Sequence, residues 1–382
     1  MKILITTDLY TTDTNGVVTS VKNLQNELVK LGHDVRVLTL SENRHSRKDG
    51  MVHYIRSMPF GIYPDVRMPL SYNHKLIKEL IEWKPDVIHS QCEFFSFQFA
   101  KKISKKTGAP IIHTYHTMYE HYTTYVIPGK KLGLKLLKVV LRNRLKKVDM
   151  LVAPTRKVER SLRGFGLENP ISVIPTGINL GQHHLRITEE ERLAKRRELG
   201  IADSEKVLIN LGRLGYEKNV DELITFYAKA SKDNDTLRFM IVGDGPARES
   251  LRKRASELGV SEKVIFTGMV DPHKVQEYYQ LGDVFVSAST SETQGLTYVE
   301  AAANGLPLLC RYDDCLEDVI RQGENGYTYT SDEEFFESIN AIASNPEWLG
   351  SAGKLSEEIA TTFDKEVFAG SIEKIYSSLI AQ

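Results

Sequence analysis

The feature that most constrains the fold of this chain is a regular alternation of short apolar, β-branched runs with longer segments of helical periodicity. Runs such as Ile3–Thr7, Val35–Leu40 and Val207–Leu211 have the length and composition of buried strands. Segments such as Val18–Leu31 repeat apolar residues every three or four positions, which is typical of a helix with one buried face. Strand, helix and strand at this spacing predict parallel sheets covered by helices on both faces.

The alternation runs through two successive series, and the composition becomes polar near Thr176–Gln182 between them. A chain of 382 residues is too long for one ordinary domain and suits two. We therefore predict an α/β fold of two doubly wound, Rossmann-like domains, residues 1–177 and 178–363, whose parallel sheets face a cleft. The last segment, 364–382, is an amphipathic helix that we expect to pack back on the first domain.

The net charge of zero conceals opposite charges in the two halves. Residues 1–177 contain 28 Lys and Arg against 15 Asp and Glu, a net charge of +13, and the remainder has a net charge of −13. One interpretation is that the first half meets an anionic partner. The other is that the two halves attract each other across the cleft, and the charges alone leave both open.

Composition argues against a membrane span, a signal peptide and a structural zinc site. The apolar runs are shorter than the ~20 residues that cross a bilayer, and Asp8 interrupts the stretch that a signal peptide would need. Cys92, Cys310 and Cys315 are odd in number and lack the spacing of zinc ligands. These features predict a protein of the reducing cytosol.

Two loops that follow predicted strands combine glycine with groups suited to an anion. Asn15 and Gly16 let the backbone turn sharply before a helix whose first N–H groups favour negative charge. Arg213 and Lys218 follow Val207–Leu211, and a planar guanidinium beside a point charge suits a diphosphate. A plain turn and a solvated charged loop are the alternatives.

A third loop places Gly243 and Gly245 between a strand and a helix that begins with Pro246. A base or a ribose could lie against this turn. Glycines that simply permit the tight turn explain the pattern equally well.

The most informative segment is Ser291–Leu309, which follows a predicted strand and opens a helix. Gly295, Leu296 and Thr297 place backbone N–H groups at the helix N-terminus, where phosphate is favoured.

Two glutamates in this segment are candidate acceptors of hydroxyl hydrogen bonds. Glu300, one turn into the helix, can accept from the vicinal hydroxyls of a ribose, and Glu292 can accept from those of a sugar. Two carboxylates beside a phosphate need compensating charge, which we assign to Arg213 and Lys218. The alternative is that Glu292 stabilises the helix N-terminus while Glu300 lies at the surface.

Glu292 and Glu300, separated by seven residues with Gly295 between them, resemble the signature of glycosyltransferase family 4. Over nearly the whole chain the resemblance is carried by Asn15-Gly16, His116, Arg213 with Lys218, and Gly243 to Gly245. It implies the GT-B fold, a nucleotide-sugar donor, retention of anomeric configuration, and no metal or other cofactor.

The resemblance also implies roles for individual residues. Arg213 and Lys218 would bind the diphosphate, Glu300 the ribose, and Glu292 the hydroxyls of the donor sugar. Gly16 would lie against the phosphate or the sugar.

His116 would lie near the reacting carbon by the same resemblance. With His113 and His121 it could instead suggest a metal site. However, His113 and His116 fall in or at the end of a predicted strand, where residues three apart face opposite sides. A hydroxyl contact is therefore favoured for His116 over a metal ligand or a base.

Two further details of the sequence bear on the resemblance. Gln294 stands where the common family pattern has Phe. The runs Ser291–Glu300 and His113–Tyr122 resemble the branch of the family that glucosylates diacylglycerol.

The segment Gly129–Lys147 contains eight basic residues and no acidic one. Its leucines define one helical face, and the residues that we assign to membrane contact lie largely elsewhere: Lys130, Lys131, Lys135, Lys138 and Arg142. A basic amphipathic helix can lie on an anionic bilayer. The alternative is a helix packed on the sheet with a solvated basic face.

Nucleic acid is a less favoured partner for this segment. The aromatic residues Tyr115, Tyr119, Tyr122 and Tyr125 form a separate cluster, which could line an acceptor pocket.

The resemblance to family 4, together with the basic helix, implies a retaining hexosyltransferase that moves glucose from UDP-glucose to diacylglycerol or a glycosyl-diacylglycerol. It would act at the cytoplasmic face of the membrane, bound peripherally. The alternatives are a family 4 enzyme with a polyprenyl-linked, phosphatidylinositol or soluble sugar acceptor, a GT-B epimerase or phosphorylase, and a non-catalytic sugar-nucleotide-binding or membrane-binding protein.

Overall fold

A computed structural model of the chain describes residues 1–11, 16–43, 45–60, 67–118, 130–343 and 345–381. The chain divides into two compact units. The first comprises residues 1–178 together with 365–382, and the second comprises residues 179–364.

The first unit is built on a sheet of short strands. They are β1 (Lys2–Thr6), β2 (Asp34–Leu40), β3 (Arg47–Asp49), β4 (Val52–Ile55), β7 (Val87–Ser90), β8 (Ile111–Thr114), β9 (Met150–Ala153) and β10 (Ile171–Val173), with β5 (Ser57–Pro59) and β6 (Arg67–Pro69) as a separate antiparallel pair. The order in the sheet is β10-β9-β8-β7-β1-β2-β4-β3. Neighbouring strands are parallel, apart from β3 and β4.

Helices cover both faces of this sheet. They are α1 (Gly16–Lys30), α2 (Lys75–Trp83), α3 (Phe95–Thr107), α4 (Lys130–Leu145), α5 (Arg156–Gly164) and the C-terminal α14 (Lys365–Ile380). Because successive side chains of a strand point to opposite faces, Leu4 lies in one apolar core with α2 and α3 residues. Ile3 and Ile5 lie in the other core, with residues of α1 and α14.

The second unit repeats this architecture. Its strands are β11 (Lys206–Leu211), β12 (Leu237–Val242), β13 (Val264–Gly268), β14 (Val284–Ser287), β15 (Leu308–Arg311) and β16 (Gly326–Tyr329), all parallel in the order β13-β12-β11-β14-β15-β16. Its helices are α6 (Leu180–His183), α7 (Glu189–Glu198), α8 (Val220–Asp233), α9 (Arg248–Glu257), α10 (Val275–Tyr279), α11 (Leu296–Ala303), α12 (Asp332–Ala343) and α13 (Pro346–Ala360). The predicted α/β class, with two doubly wound Rossmann-like sheets, is confirmed.

The C-terminal helix α14 returns to the first unit and packs against α1. Its first backbone N–H, at Lys365, donates to the Ile178 carbonyl at 3.0 Å. Near its other end, the hydroxyl oxygen of Tyr376 lies 2.7 Å from Nδ1 of His89 on β7. At Gly177 the chain passes so close to α14 that an added Cβ would lie 2.5 Å from the Cα of Lys365.

We expect Gly177→Ala to lower the free energy of unfolding by about 1–3 kcal/mol, because the new methyl group displaces the start of α14. The measurement is urea unfolding followed by circular dichroism. Gly164→Ala is the matched control, since an added Cβ at Gly164 meets no atom within 4 Å. Equal unfolding midpoints for the two variants would contradict the prediction.

Candidate active site

The loops that follow β11 and β14 meet at the carboxyl edge of the second sheet, because these parallel strands are neighbours. Lys218 ends a short 3-10 helix after β11, and its ammonium group bonds the carboxylate of Glu292 in the loop after β14. The side-chain amide of Asn219 donates to the Ala288 carbonyl at 3.2 Å and joins the same two loops. The structure thus brings together two predicted site residues that are 74 positions apart in the chain.

The Glu292 carboxylate receives a second hydrogen bond from within its own loop. The hydroxyl of Ser289 donates to Oε1 of Glu292 at 2.8 Å. The side chains of Glu292 and Lys218 are both mostly buried. A carboxylate held from two directions is oriented before any ligand arrives, and it can accept hydrogen bonds from sugar hydroxyls.

Arg213 has a different partner from the one that we expected. Its guanidinium pairs with Glu217, four residues later in the same loop. The expectation of charge compensation therefore holds for Lys218 and Glu292, but not for Arg213. The reason is local: a side chain at Gly215 would overlap the Glu217 carboxylate, so glycine at this position lets that carboxylate fold back toward Arg213.

The N-terminus of α11 lies against the loop that follows β11. Gly295 precedes the helix with φ of 75°, a left-handed conformation that favours glycine, and an added Cβ would overlap the ring of Tyr298. The N–H groups of Leu296 and Thr297 lie in the first turn, where the helix supplies no acceptor for them. Thr297 Cγ2 is 3.9 Å from the position of a Cβ on Gly212. This arrangement suits a phosphate group.

Glu300 lies one turn into α11 and is partly buried, so the alternative interpretation of a surface residue is wrong. The hydroxyl of Tyr279, at the end of α10, donates to Oε2 of Glu300 at 2.9 Å. Burial raises the pKa of Glu300 to about 7, against the lowering effect of the hydrogen bond from Tyr279. Glu300 therefore ionises near neutral pH, and its ionised form is a hydroxyl acceptor.

Gly243 approaches the loop after β11 so closely that an added Cβ would overlap the carbonyl oxygen of Gly212. Hydrogen bonds join the same two loops, from Leu214 N to the Asp244 carbonyl and from Ala247 N to the Leu214 carbonyl, both at 2.9 Å. This packing accounts for glycine at position 243. A contact between Gly243 and the donor stays a prediction.

His116 lies just beyond β8 in the first unit. Its Nε2 is 2.6 Å from Oε1 of Gln91, which follows β7. Burial lowers the pKa of His116 to about 4, so the imidazole is neutral at neutral pH. A neutral imidazole can hydrogen-bond a hydroxyl, and the assignment of His116 to the donor sugar stays a prediction.

Three buried polar residues near His116 were not selected from the sequence: His89, Glu93 and Thr114. Nε2 of His113 lies 3.2 Å from Oε1 of Glu93, and Nε2 of His89 lies 2.7 Å from Oγ1 of Thr114. Glu93 follows β7, where polar residues mark the functional edge of a parallel sheet, so it could have been selected. His89 and Thr114 lie within β7 and β8, where that signal does not apply. Across the part of the chain that the structure describes, no group of three or more His, Cys, Asp and Glu could hold a metal ion.

Gly16, the remaining predicted donor contact, is the exposed first residue of α1. Asn15, His121 and three tyrosines of the predicted acceptor cluster lie outside the described residues: Tyr119, Tyr122 and Tyr125.

Helix α4 packs on the sheet with one face, as its apolar periodicity predicts. Leu141 and Leu145 are buried, and Leu137 packs against the same core. The side chain of Lys138 is half-buried, and its ammonium group lies 5.5 Å from the centre of the Phe165 ring. The side chains of Lys130 and Lys131 lie outside the described set.

The outward face of α4 is apolar as well as basic. Leu136 and Val139 are 53% and 51% exposed. Exposed cationic residues lie on the same helix and in the turn that follows it: Lys135, Arg142, Lys146 and Lys147. We call these six residues the α4 patch. Within the described ranges, no helix is both long and apolar enough to cross a bilayer.

In comparisons with known proteins, each half of the chain matches a glycosyltransferase family. Residues 14–182 match Glycosyltransferase Family 4, and residues 191–360 match Glycosyl transferases group 1. An alpha-monoglucosyldiacylglycerol synthase from Streptococcus pneumoniae is 34% identical, over 99% of this chain and 87% of the relative. Another from Acholeplasma laidlawii is 33% identical, over 100% of this chain and 98% of the relative.

Solved structures show the same fold at low sequence identity. Anabaena HepE, in complex with UDP and glucose, has a TM-score of 0.78 at 17% identity, over 99% of this chain and 100% of that chain. Sucrose-phosphate synthase from Thermosynechococcus elongatus has a TM-score of 0.77 at 20% identity, over 100% and 99%. From the full-length relatives and these structures, we conclude that the chain belongs to glycosyltransferase family 4 and has the GT-B fold.

Proposed function

We propose that the protein is a retaining hexosyltransferase that transfers glucose from UDP-glucose to diacylglycerol or a glycosyl-diacylglycerol. The observation that carries the proposal is the full-length similarity to two alpha-monoglucosyldiacylglycerol synthases. The UDP and glucose held by HepE are consistent with the same class of donor.

The second unit supplies the groups that such a donor needs. We assign the diphosphate to Lys218, Arg213 and the first turn of α11. Both cations already lie beside carboxylates, so donor binding exchanges a carboxylate partner for phosphate oxygens. Once Lys218 turns to the diphosphate, Glu292 can accept hydrogen bonds from the hexose hydroxyls, while Glu300 accepts those of the ribose.

These groups also account for the chemistry. The bond between C1 of the hexose and the phosphate oxygen breaks, and a bond from C1 to the acceptor oxygen forms. Lys218, Arg213 and the N–H groups of α11 stabilise the negative charge that develops on departing UDP. In the retaining mechanism that we adopt, the acceptor attacks from the face that UDP leaves, and the departing phosphate takes the acceptor proton. We assign His116 to the sugar near C1.

A panel of donors and acceptors tests the proposal directly. UDP-glucose, UDP-galactose and UDP-N-acetylglucosamine would be combined with diacylglycerol, glucosyl-diacylglycerol and a soluble sugar, and the products analysed. We expect an α-linked glucosyl lipid from UDP-glucose. Conversion of the donor without any acceptor would indicate an epimerase, and no conversion across the panel would favour a non-catalytic protein.

A lipid acceptor requires the protein to reach a bilayer surface, and the α4 patch is suited to this. Its cations attract anionic headgroups, and its two apolar side chains can insert among them. We propose that the patch binds the cytoplasmic leaflet of the cell membrane peripherally. The net positive charge of residues 1–177 would then attract the protein to the anionic headgroups of this leaflet.

We expect the double variant Leu136→Ser, Val139→Ser to bind anionic vesicles roughly tenfold more weakly, because two half-exposed apolar side chains no longer leave water on binding. Co-sedimentation at two salt concentrations measures this. The double variant Val29→Ser, Leu31→Ser is the matched control, since these side chains are 49% and 50% exposed on the same unit. Equal losses for the two variants, or equal binding of the natural protein to neutral vesicles, would refute the assignment.

A further inference from the structure

Tyr279 is a buried residue to which the proposed mechanism gives no role. We infer that Tyr279 is a positioning residue, which holds the Glu300 carboxylate toward the ribose of the donor without contacting the donor itself. The inference rests on the proposed assignment of Glu300 to the ribose. It adds a residue that the family signature between Glu292 and Glu300 does not contain.

The geometry directs one oxygen of Glu300 inward. The hydroxyl of Tyr279 lies 2.9 Å from Oε2 of Glu300 and 3.4 Å from the carbonyl oxygen of Thr297, in the first turn of the same helix. A hydroxyl has a single proton to donate, and a carboxylate is a stronger acceptor than a carbonyl. The Tyr279 hydroxyl therefore donates to Oε2 of Glu300, which is also the nearer of the two oxygens. With Oε2 bonded to Tyr279, Oε1 is the oxygen that can turn to a ribose hydroxyl.

The ring of Tyr279 is fixed by its neighbours. It is fully buried, with the His183 ring edge-on at 6.3 Å and the Phe285 ring at 6.1 Å between centroids. A ring held on two sides keeps its hydroxyl at one point. Because the side chain is inaccessible, Tyr279 can affect donor binding only through residues that it contacts, and its hydroxyl contacts Glu300 and Thr297.

The surroundings of Glu300 leave Tyr279 as a main determinant of its ionisation. The elements packed against α11 are α6, α13 and β15. Their titratable groups are His183, Glu347, Lys354, Glu357, Glu358, Cys310 and Arg311. His183 is neutral, since burial lowers its pKa to about 4. Burial likewise raises the pKa of the Cys310 thiol and keeps it neutral. Glu357 pairs with Arg186, and Arg311 pairs with Glu222. Burial and the hydrogen bond from Tyr279 are the two influences on the pKa of Glu300.

The ionisation of Glu300 determines how the effect of Tyr279 on donor binding changes with pH. Burial raises the pKa of Glu300 to about 7, and the hydrogen bond from Tyr279 opposes that rise. Without the hydroxyl, ionised Glu300 loses a donor, so its titration moves to higher pH. Ribose binding then weakens most near neutral pH and recovers in alkaline solution, where Glu300 ionises in either protein.

Tyr279→Phe tests this with UDP as the probe, in calorimetric titrations from pH 7 to pH 9. Losing a charge-assisted hydrogen bond moves a titration by about one pH unit, so we expect roughly fivefold weaker UDP binding at pH 7 and less than twofold at pH 9. Tyr227→Phe is the control, because its buried hydroxyl donates to the Leu237 carbonyl at 2.8 Å instead. The terminal phosphate of UDP titrates near pH 6, so the variants are compared with each other at each pH.

Three outcomes test whether Tyr279 positions Glu300. A loss that disappears by pH 9 in Tyr279→Phe, and is absent from Tyr227→Phe, supports the inference. A loss of the same size at every pH shows that Tyr279 acts through the fold and overturns it. If Tyr279→Phe does not fold, the natural protein is compared with Glu300→Gln. Its UDP affinity relative to that variant must rise between pH 6.5 and pH 8, and a constant ratio above one overturns the inference.

If Glu300 does not bind the ribose, UDP binding by Glu300→Gln gives a different result. Glu300→Gln would then bind UDP as tightly as the natural protein at every pH. Reduced binding in Glu300→Gln, with a pH-independent ratio of Tyr279→Phe to Tyr227→Phe, would overturn only the role of Tyr279.

Discussion

We expect Lys218→Ala to lower kcat for glucosyl transfer by about 10²–10³-fold, the loss that follows removal of one preorganised donor to a developing anion. The ammonium group of Lys218 already lies at the carboxyl edge of the sheet, beside Glu292. Its loss removes positive charge where UDP departs and leaves Glu292 without its cation. The measurement is initial rate at saturating UDP-glucose and diacylglycerol.

Two further variants separate this effect from a general one. Lys229→Ala also removes a lysine from the second unit, and its partner Asp332 lies outside the proposed site, so activity should stay within twofold, or about 0.4 kcal/mol. Lys218→Arg keeps the charge and should recover part of the lost rate. Unimpaired turnover by Lys218→Ala would refute the assignment of the diphosphate.

Glu292→Gln should distinguish binding of the donor sugar from binding of the nucleotide. We expect kcat/KM for UDP-glucose to fall about 10²-fold, because an amide accepts hydroxyl hydrogen bonds less strongly than a charged carboxylate and can present its NH2 group instead. UDP lacks the sugar, so the affinity of the variant for UDP should be retained. It can also increase severalfold, because Lys218 no longer has to leave the Glu292 carboxylate before it binds the diphosphate. Steady-state kinetics and UDP titration together measure this.

The control is Glu205→Gln, which removes a carboxylate paired with Arg238 at the amino-terminal edge of the same sheet. Any loss of activity in that variant should follow its loss of stability, which thermal unfolding reports. Parallel losses of UDP and UDP-glucose affinity in Glu292→Gln would show that Glu292 serves the nucleotide and not the hexose.

The strands of both units were predictable because a buried parallel strand consists of a continuous apolar, β-branched run. The predicted strands Val35–Leu40 and Val207–Leu211 begin one residue later than β2 and β11, and Ile3–Thr7 is shifted by one residue from β1. The short strands β3, β5 and β6 were not predicted. Arg47–Asp49 is polar throughout, and a strand of this kind exists only because a neighbouring segment supplies hydrogen bonds, which no local pattern reveals.

The candidate site was predictable in its residue types but not in its contacts. Charged and small residues directly after buried strands identify the ligand-binding edge of a doubly wound sheet, so Lys218 and Glu292 could be selected from sequence. The pairing of Arg213 with Glu217 could not, because it depends on how the loop folds at Gly215. The packing of Gly243 against Gly212 also depends on two loops that are separate in sequence.

By itself the sequence determined the alternation of buried parallel strands with helices, the α/β class and the edge where functional loops collect, because hydrophobic periodicity and glycine placement are local properties. The tertiary structure alone decided that Lys218 meets Glu292, that Leu136 and Val139 point outward, and that Glu300 is partly buried against Tyr279. These depend on contacts between residues distant in the chain. Burial, which places the ionisation of Glu300 near neutral pH, is a property of the packed protein and not of the residue.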